Sequence, residues 1–271
     1  MSVLKTFRLG VVYCFSPFFK CPRKESEFRP AEIRVGLALS PLRGLVGAAL
    51  VLTPFLFLIT TVKNLDPIYT QMLFPLLFCV ILERMVHLRR ISAFCRCVEA
   101  INQPEHAAQI MQTKGEVPMT PTCMFTSFFI LAAKLMVLYM LVAKFLVTGM
   151  KTDDELLIDF ALVIIAIPMF AETGAVLLFS GDEAGGGKAP LKGLRALLPL
   201  LTALLLTLPV AVLIWVRISQ NTVILSAALV MFMVFLWKHQ ADRHIGKINV
   251  PVAWACYECG ELAAMIGILI V

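Results

Sequence analysis

Charge is scarce in this chain. Only 15% of its 271 residues are Asp, Glu, Lys or Arg, where a soluble domain carries roughly a quarter, while 59% are hydrophobic. That balance excludes an ordinary water-soluble fold and makes the lipid bilayer the natural solvent. Histidine is sparser still: His87, His106, His239 and His244 are the whole set. Neither a His-Glu-x-x-His nor a Gly-x-Ser-x-Gly motif occurs, so nothing pairs a base with a nucleophile and no enzymatic role or cofactor is expected. The absence of any Asn-x-Ser/Thr sequon excludes outward N-glycosylation. The net charge of +6 does not form a basic stripe with interleaved aromatics, so nucleic acid is not an expected partner.

Long apolar runs are what the chain has instead. Taking about 20 apolar residues as one crossing, spans are expected near 44–62, 67–83, 123–148, 156–180, 196–216, 221–237 and 250–271. The second and sixth are short, and a re-entrant segment at either would reduce seven crossings to six. Pro54, Pro75, Pro168, Pro199 and Pro209 fall inside spans, where neighbouring helices or Ser/Thr side chains can satisfy the freed carbonyls. Pro251, just after Asn249, suits the start of a helix.

Orientation follows from the Lys and Arg of alternate loops, because cytoplasmic loops retain positive charge during insertion. The segment before the first span carries Lys5, Arg8, Lys20, Arg23, Lys24, Arg29, Arg34 and Arg43. The loops 84–122, 181–195 and 238–249 raise that side to nineteen, against Lys63, Lys151 and Arg217 on the other. The expected fold is therefore an all-α, polytopic transmembrane bundle of about seven spans, with its amino terminus cytosolic and its carboxyl terminus outside. Residues 1–43 read as a basic cytosolic tail and 44–271 as a single bundle, in the plasma membrane or an endomembrane.

Leu9 to Phe19 follows Lys5 and Arg8 as a signal-peptide core would. Pro17 interrupts it, however, and the basic Lys20-Cys-Pro-Arg-Lys24 follows in place of a cleavage site. An apolar segment lying on the inner leaflet is expected there, with anionic lipids as partners. No cysteine falls in an outer loop, so a disulfide framework is not expected. Cys95-x-Cys97 and Cys256-x-x-Cys259 lack the further spaced ligands that zinc needs, and no metal site is expected. The juxtamembrane Cys14, Cys21, Cys95 and Cys97 are candidates for acylation, with free reduced thiols as the plainer reading.

The glycine-rich segment from Ser180 to Ala189 departs twice from a phosphate-binding loop. Gly181 and Gly187 enclose five residues instead of four, and Ala189 stands where a magnesium-binding hydroxyl is needed. A flexible linker is expected. The triplet Glu83-Arg84-Met85 resembles the acidic-Arg-aromatic motif of G-protein-coupled receptors, but neither Asn-Pro-x-x-Tyr nor Cys-Trp-x-Pro accompanies it and the orientation is inverted.

Ionisable residues inside the spans carry the most information. A charge at the bilayer centre costs several kcal/mol, so such residues face the bundle interior and find partners. At about 1.5 Å per helical residue, Lys134, Glu172, Glu258 and Glu261 lie roughly 12–16 Å from the cytosolic ends of their spans. Glu258 and Glu261 are three apart and point to similar faces. Lys134 is the one cation expected at that depth, and Tyr139, Thr173 and Tyr257 are nearby polar groups. Two readings follow: a site for a cation, a proton or a charged ligand group, as in a channel, transporter or chemoreceptor, or interhelical glue in a non-catalytic membrane subunit. Seven spans with an inward amino terminus is also similar to the topology of insect-type gustatory and odorant receptors. That resemblance implies a ligand-gated cation channel and a homo-oligomer, although the ending Gly-Ile-Leu-Ile-Val271 lacks their last-span signature.

Overall fold

The computed structural model describes residues 3–15, 28, 30–61, 67–78, 88–112, 120–147, 153–180, 194–246, 248 and 250–271. Cys21, the Glu83-Arg84-Met85 triplet, the end of the expected second span and the glycine-rich linker lie outside them. The described residues are helical almost throughout: α1 (Val3–Phe15), α2 (Pro30–Ala38), α3 (Ser40–Thr61), α4 (Pro67–Phe78), α5 (Leu88–Asn102), α6 (Ala107–Gln112), α7 (Pro121–Val142), α8 (Asp153–Ser180), α9 (Leu194–Arg217), α10 (Gln220–Gln240) and α11 (Val250–Ile270).

Among the described residues, six helical stretches are long and apolar enough to cross a bilayer: Ser40–Ile59, Pro121–Leu146, Asp154–Phe179, Leu197–Arg217, Gln220–Ile245 and Pro251–Ile270. The expected second span is described only as the 12-residue α4. The expected sixth span is longer than its apolar run. α10 continues through Lys238, His239 and Gln240 into a π turn at Ala241–Ile245. Gly246 ends it in the left-handed region, at φ 79°, with its N–H donated to the Ala241 carbonyl at 2.7 Å. That is the conformation a glycine supplies without steric cost.

Local chemistry sets the other helix ends. Thr120 caps α7 by accepting the Cys123 N–H at 3.2 Å, with Pro121 as the first helical residue, where a missing N–H costs nothing. Ser219 does the same for α10 through Asn221 N–H at 3.1 Å. Within the apolar helices Thr53, Thr126, Thr173, Thr202 and Thr207 each donate to the carbonyl four residues earlier, so their hydroxyls are satisfied without water.

α8 and α11 form the centre, with 72% and 67% of their spans buried, against 22% for α9 and 28% for α10. The outer helices turn Leu198, Leu205, Leu208, Phe232 and Phe235 outward. α3 runs antiparallel to α8: Gly44 lies against the Pro168 backbone, while Phe55 packs on Phe160 with ring centroids 5.8 Å apart. α11 runs antiparallel to α8 and α10, and parallel to α7. Gly267 abuts Ser226, Gly260 abuts Ala171, and Lys144 near the end of α7 donates to the carbonyls of Ile268 and Leu269 at 3.2 and 3.1 Å. One end of the bundle, here the lower end, thus holds the starts of α3, α7 and α11 and the finishes of α8 and α10. α5 lies at this end, with Phe94 against Trp237 and Cys95 Sγ 2.9 Å from Ser127 Oγ. α4 packs towards the upper end through Phe74, which meets Phe55 and Phe160 at 4.8 and 4.9 Å.

The expected boundary at residue 43 falls inside α3. The segment expected as a tail holds two helices that pack on each other, with Gly10 against Val35 and Gly36 against Tyr13. Cys14 Sγ, at the end of α1, donates to the Leu39 carbonyl at 3.3 Å, at the break between α2 and α3.

Candidate functional site: a buried polar layer

A layer of charged side chains crosses the lower half of the bundle. α7 brings Lys134 and α11 brings Glu258 and Glu261, three residues apart and therefore on one face. All three are fully buried. Lys134 Nζ donates to Glu258 Oε2 and, at 2.6 Å, to Glu261 Oε2. The Tyr257 hydroxyl donates to the second Glu261 oxygen at 2.9 Å. Two carboxylates thus close on one ammonium, a charge-assisted arrangement of the strong kind.

Glu172 does not join them. It sits on α8 at 1% exposure and takes Arg43 of α3 as its partner, in a two-point grip with Nε to Oε1 at 2.8 Å and Nη2 to Oε2 at 2.5 Å. Arg43 reads as a cytosolic loop charge in the sequence, and the structure pairs it inside the bundle. Its guanidinium reaches from the first turn of α3 towards Glu172, which lies about 12 Å from the end of α8 at about 1.5 Å per residue. A long Arg stem spans that gap along apolar surface while its head stays paired. Glu172 itself is the signal in the sequence: a buried carboxylate needs a cation, and Lys134 is engaged by Glu258 and Glu261. Tyr257 packs with Ala171 and Ala175 of α8, beside Glu172, so the two clusters are neighbours across α8 and α11.

Of the polar neighbours, Tyr257 belongs to the layer. Thr173 pairs with Thr207 of α9 at 2.8 Å, and Tyr139 faces outward at 39% exposure. A further ion pair, Arg217 Nε to Asp159 Oδ1 at 2.8 Å, joins α9 to α8 near the upper end, with Asp159 buried and Arg217 exposed.

The cysteines considered for acylation are buried where described. Cys14, Cys95 and Cys97 are each at or below 1% exposure. Burial pushes the Cys14 thiol up to about 12, with the nearby Arg43 opposing it, and pushes Cys97 upward as well. Acyl transfer needs an accessible thiol, and burial withholds access at these three positions. Among the described residues, no three His, Cys, Asp or Glu side chains converge as metal ligands.

Fold and layer together define a helical integral membrane protein with buried, paired charges in its interior. Comparison with protein-family models, with curated proteins and with solved structures gives no match.

Proposed function

We propose that this is a transport, channel or ligand-sensing protein in which Lys134, Glu258 and Glu261 form a site that exchanges one positive charge. The observation that carries this reading is the stoichiometry of the cluster. Interhelical glue between α7 and α11 needs one ammonium and one carboxylate. A second buried carboxylate on the same helix adds a desolvation cost of several kcal/mol and makes Lys134 a shared occupant of an acidic pocket. A proton or small cation can compete for that place, and the Tyr257 hydroxyl supplies a further polar ligand.

We further infer seven crossings, an inward amino terminus and an outward carboxyl terminus. α3 finishes at the upper end while α5 lies at the lower end, so the chain travels the length of the bundle between Thr61 and Leu88, with α4 on that path. The loop charges support the sidedness, at eighteen to three once Arg43 is counted within the bundle.

A second reading, a non-catalytic assembly subunit, is favoured by the one-to-one Arg43–Glu172 pair and by the outward apolar faces of α9 and α10. Flux in liposomes separates the two. The first reading expects proton or cation flux that E258Q and E261Q abolish while folded protein yield is kept. Silence of the unaltered protein, with a stoichiometric partner on affinity isolation, would establish the second.

A further inference from the structure

The outer face of α1 is the surface that the bundle does not explain. At about 100° per residue, Thr6, Gly10, Tyr13 and Cys14 fall on one side of the helix, and this side packs on α2 and the break before α3: Gly10 on Val35, Tyr13 on Phe28 and Gly36, and Cys14 on the Leu39 carbonyl. The opposite arc runs in order through Phe7, Leu4, Arg8, Val12 and Lys5, all exposed, with Leu4 at 77% and Phe7 at 51%. Its apolar edge therefore grades into a basic edge within two turns. A helix wholly in water gains nothing by exposing Leu4 and Phe7, and one wholly in hydrocarbon cannot hold Lys5 and Arg8. The boundary between acyl chains and headgroups accommodates both.

We propose that this face of α1 is seated on an anionic lipid leaflet, with Lys5 and Arg8 binding an acidic phospholipid headgroup and Leu4, Phe7 and Val12 entering its acyl region. Charge complementarity selects an acidic lipid. Position agrees, because α1 rests on α2, α2 packs on α9, and the first turns of α9 present Leu197, Leu198 and Leu201 outward, so the acyl surface continues from the span onto the helix. The inference rests on the orientation proposed above only for which leaflet is engaged. The lipid-binding test needs no sidedness, so failure of one is distinguishable from failure of the other.

The test is native mass spectrometry of the full chain, purified in neutral detergent and titrated with phosphatidylglycerol or phosphatidylcholine. With about 1 kcal/mol per basic residue at an anionic surface, K5Q/R8Q should bind phosphatidylglycerol about thirty-fold more weakly, leave phosphatidylcholine unaffected, and recover in K5R/R8K. F7S, which keeps both charges, should weaken retention of both lipids. Unchanged phosphatidylglycerol retention in K5Q/R8Q, or equal loss of both lipids there, overturns the proposal. A dimer by light scattering that F7S dissolves would put a second copy on this face and overturn it equally.

Discussion

Arg43 and Glu172, 129 residues apart in the chain, meet with both oxygens of the carboxylate engaged by separate nitrogens of one guanidinium. This geometry fixes α3 against α8 in both rotation and depth, which a single point charge does not do. Breaking it from one side strands the other charge in a low-dielectric interior. R43Q and E172Q should each lower stability by about 3–5 kcal/mol, and an R43M/E172L double variant should recover most of the loss. Thermal melts in detergent and a double-mutant cycle check this. Equal, additive losses would mean that the pair carries no coupling.

The α7–α11 cluster predicts an unequal response. K134M leaves two carboxylates facing each other on α11, whereas E258Q or E261Q leaves a balanced pair with Lys134. Folded yield by fluorescence-detected gel filtration should therefore fall most for K134M. An E258Q/K134M chain should recover relative to K134M alone, and a K134M protein as stable as E258Q would contradict the shared-ammonium geometry.

Close helix contacts give a graded series. A Cβ on residue 267 would lie 2.7 Å from the Ser226 Cα, one on residue 44 would lie 3.0 Å from the Pro168 carbonyl carbon, and one on residue 260 would lie 3.6 Å from the Ala171 Cα. Backbone cannot rotate away as a side chain can. G267A should cost about 1–3 kcal/mol, G44A less, and G260A close to nothing, in that order of melting temperature.

Cys14 supplies a pH-dependent prediction outside the spans. Its thiol is held at about 12, above its usual 9.0, so folded and unfolded chains bind the same proton below about 9. As pH rises from about 9 towards 12 only the unfolded chain releases it, and stability falls through that window. C14S should show a shallower alkaline loss of stability. At neutral pH the native Cys14 should react with maleimide only after denaturation.

The cluster on α7 and α11 was legible because Lys134 is a lone cation deep in an apolar run and Glu258 and Glu261 share a helical face. The pairing of Glu172 was not legible, because Arg43 sits four residues into α3 and reads as a loop charge until the reach of its side chain is known. The same bias shortened α10, where Lys238 and His239 mark the end of hydrophobicity but not the end of backbone hydrogen bonding. α1 and α2 read as a tail because apolar content alone does not reveal that Gly10 and Gly36 let two short helices close on each other.

Both buried clusters draw their cations from the earlier part of the chain. Arg43 is made 129 residues before Glu172, and Lys134 is made 124 residues before Glu258. At synthesis rates of roughly 5–20 residues per second, a ribosome takes roughly 6–25 s to supply each missing anion. For that interval α3 and α7 hold a positive charge with no acid from α8 or α11 to meet it. The late helices complete the charge balance, and a nascent chain stalled before Glu258 would present a lysine in lipid as a mark of incompleteness.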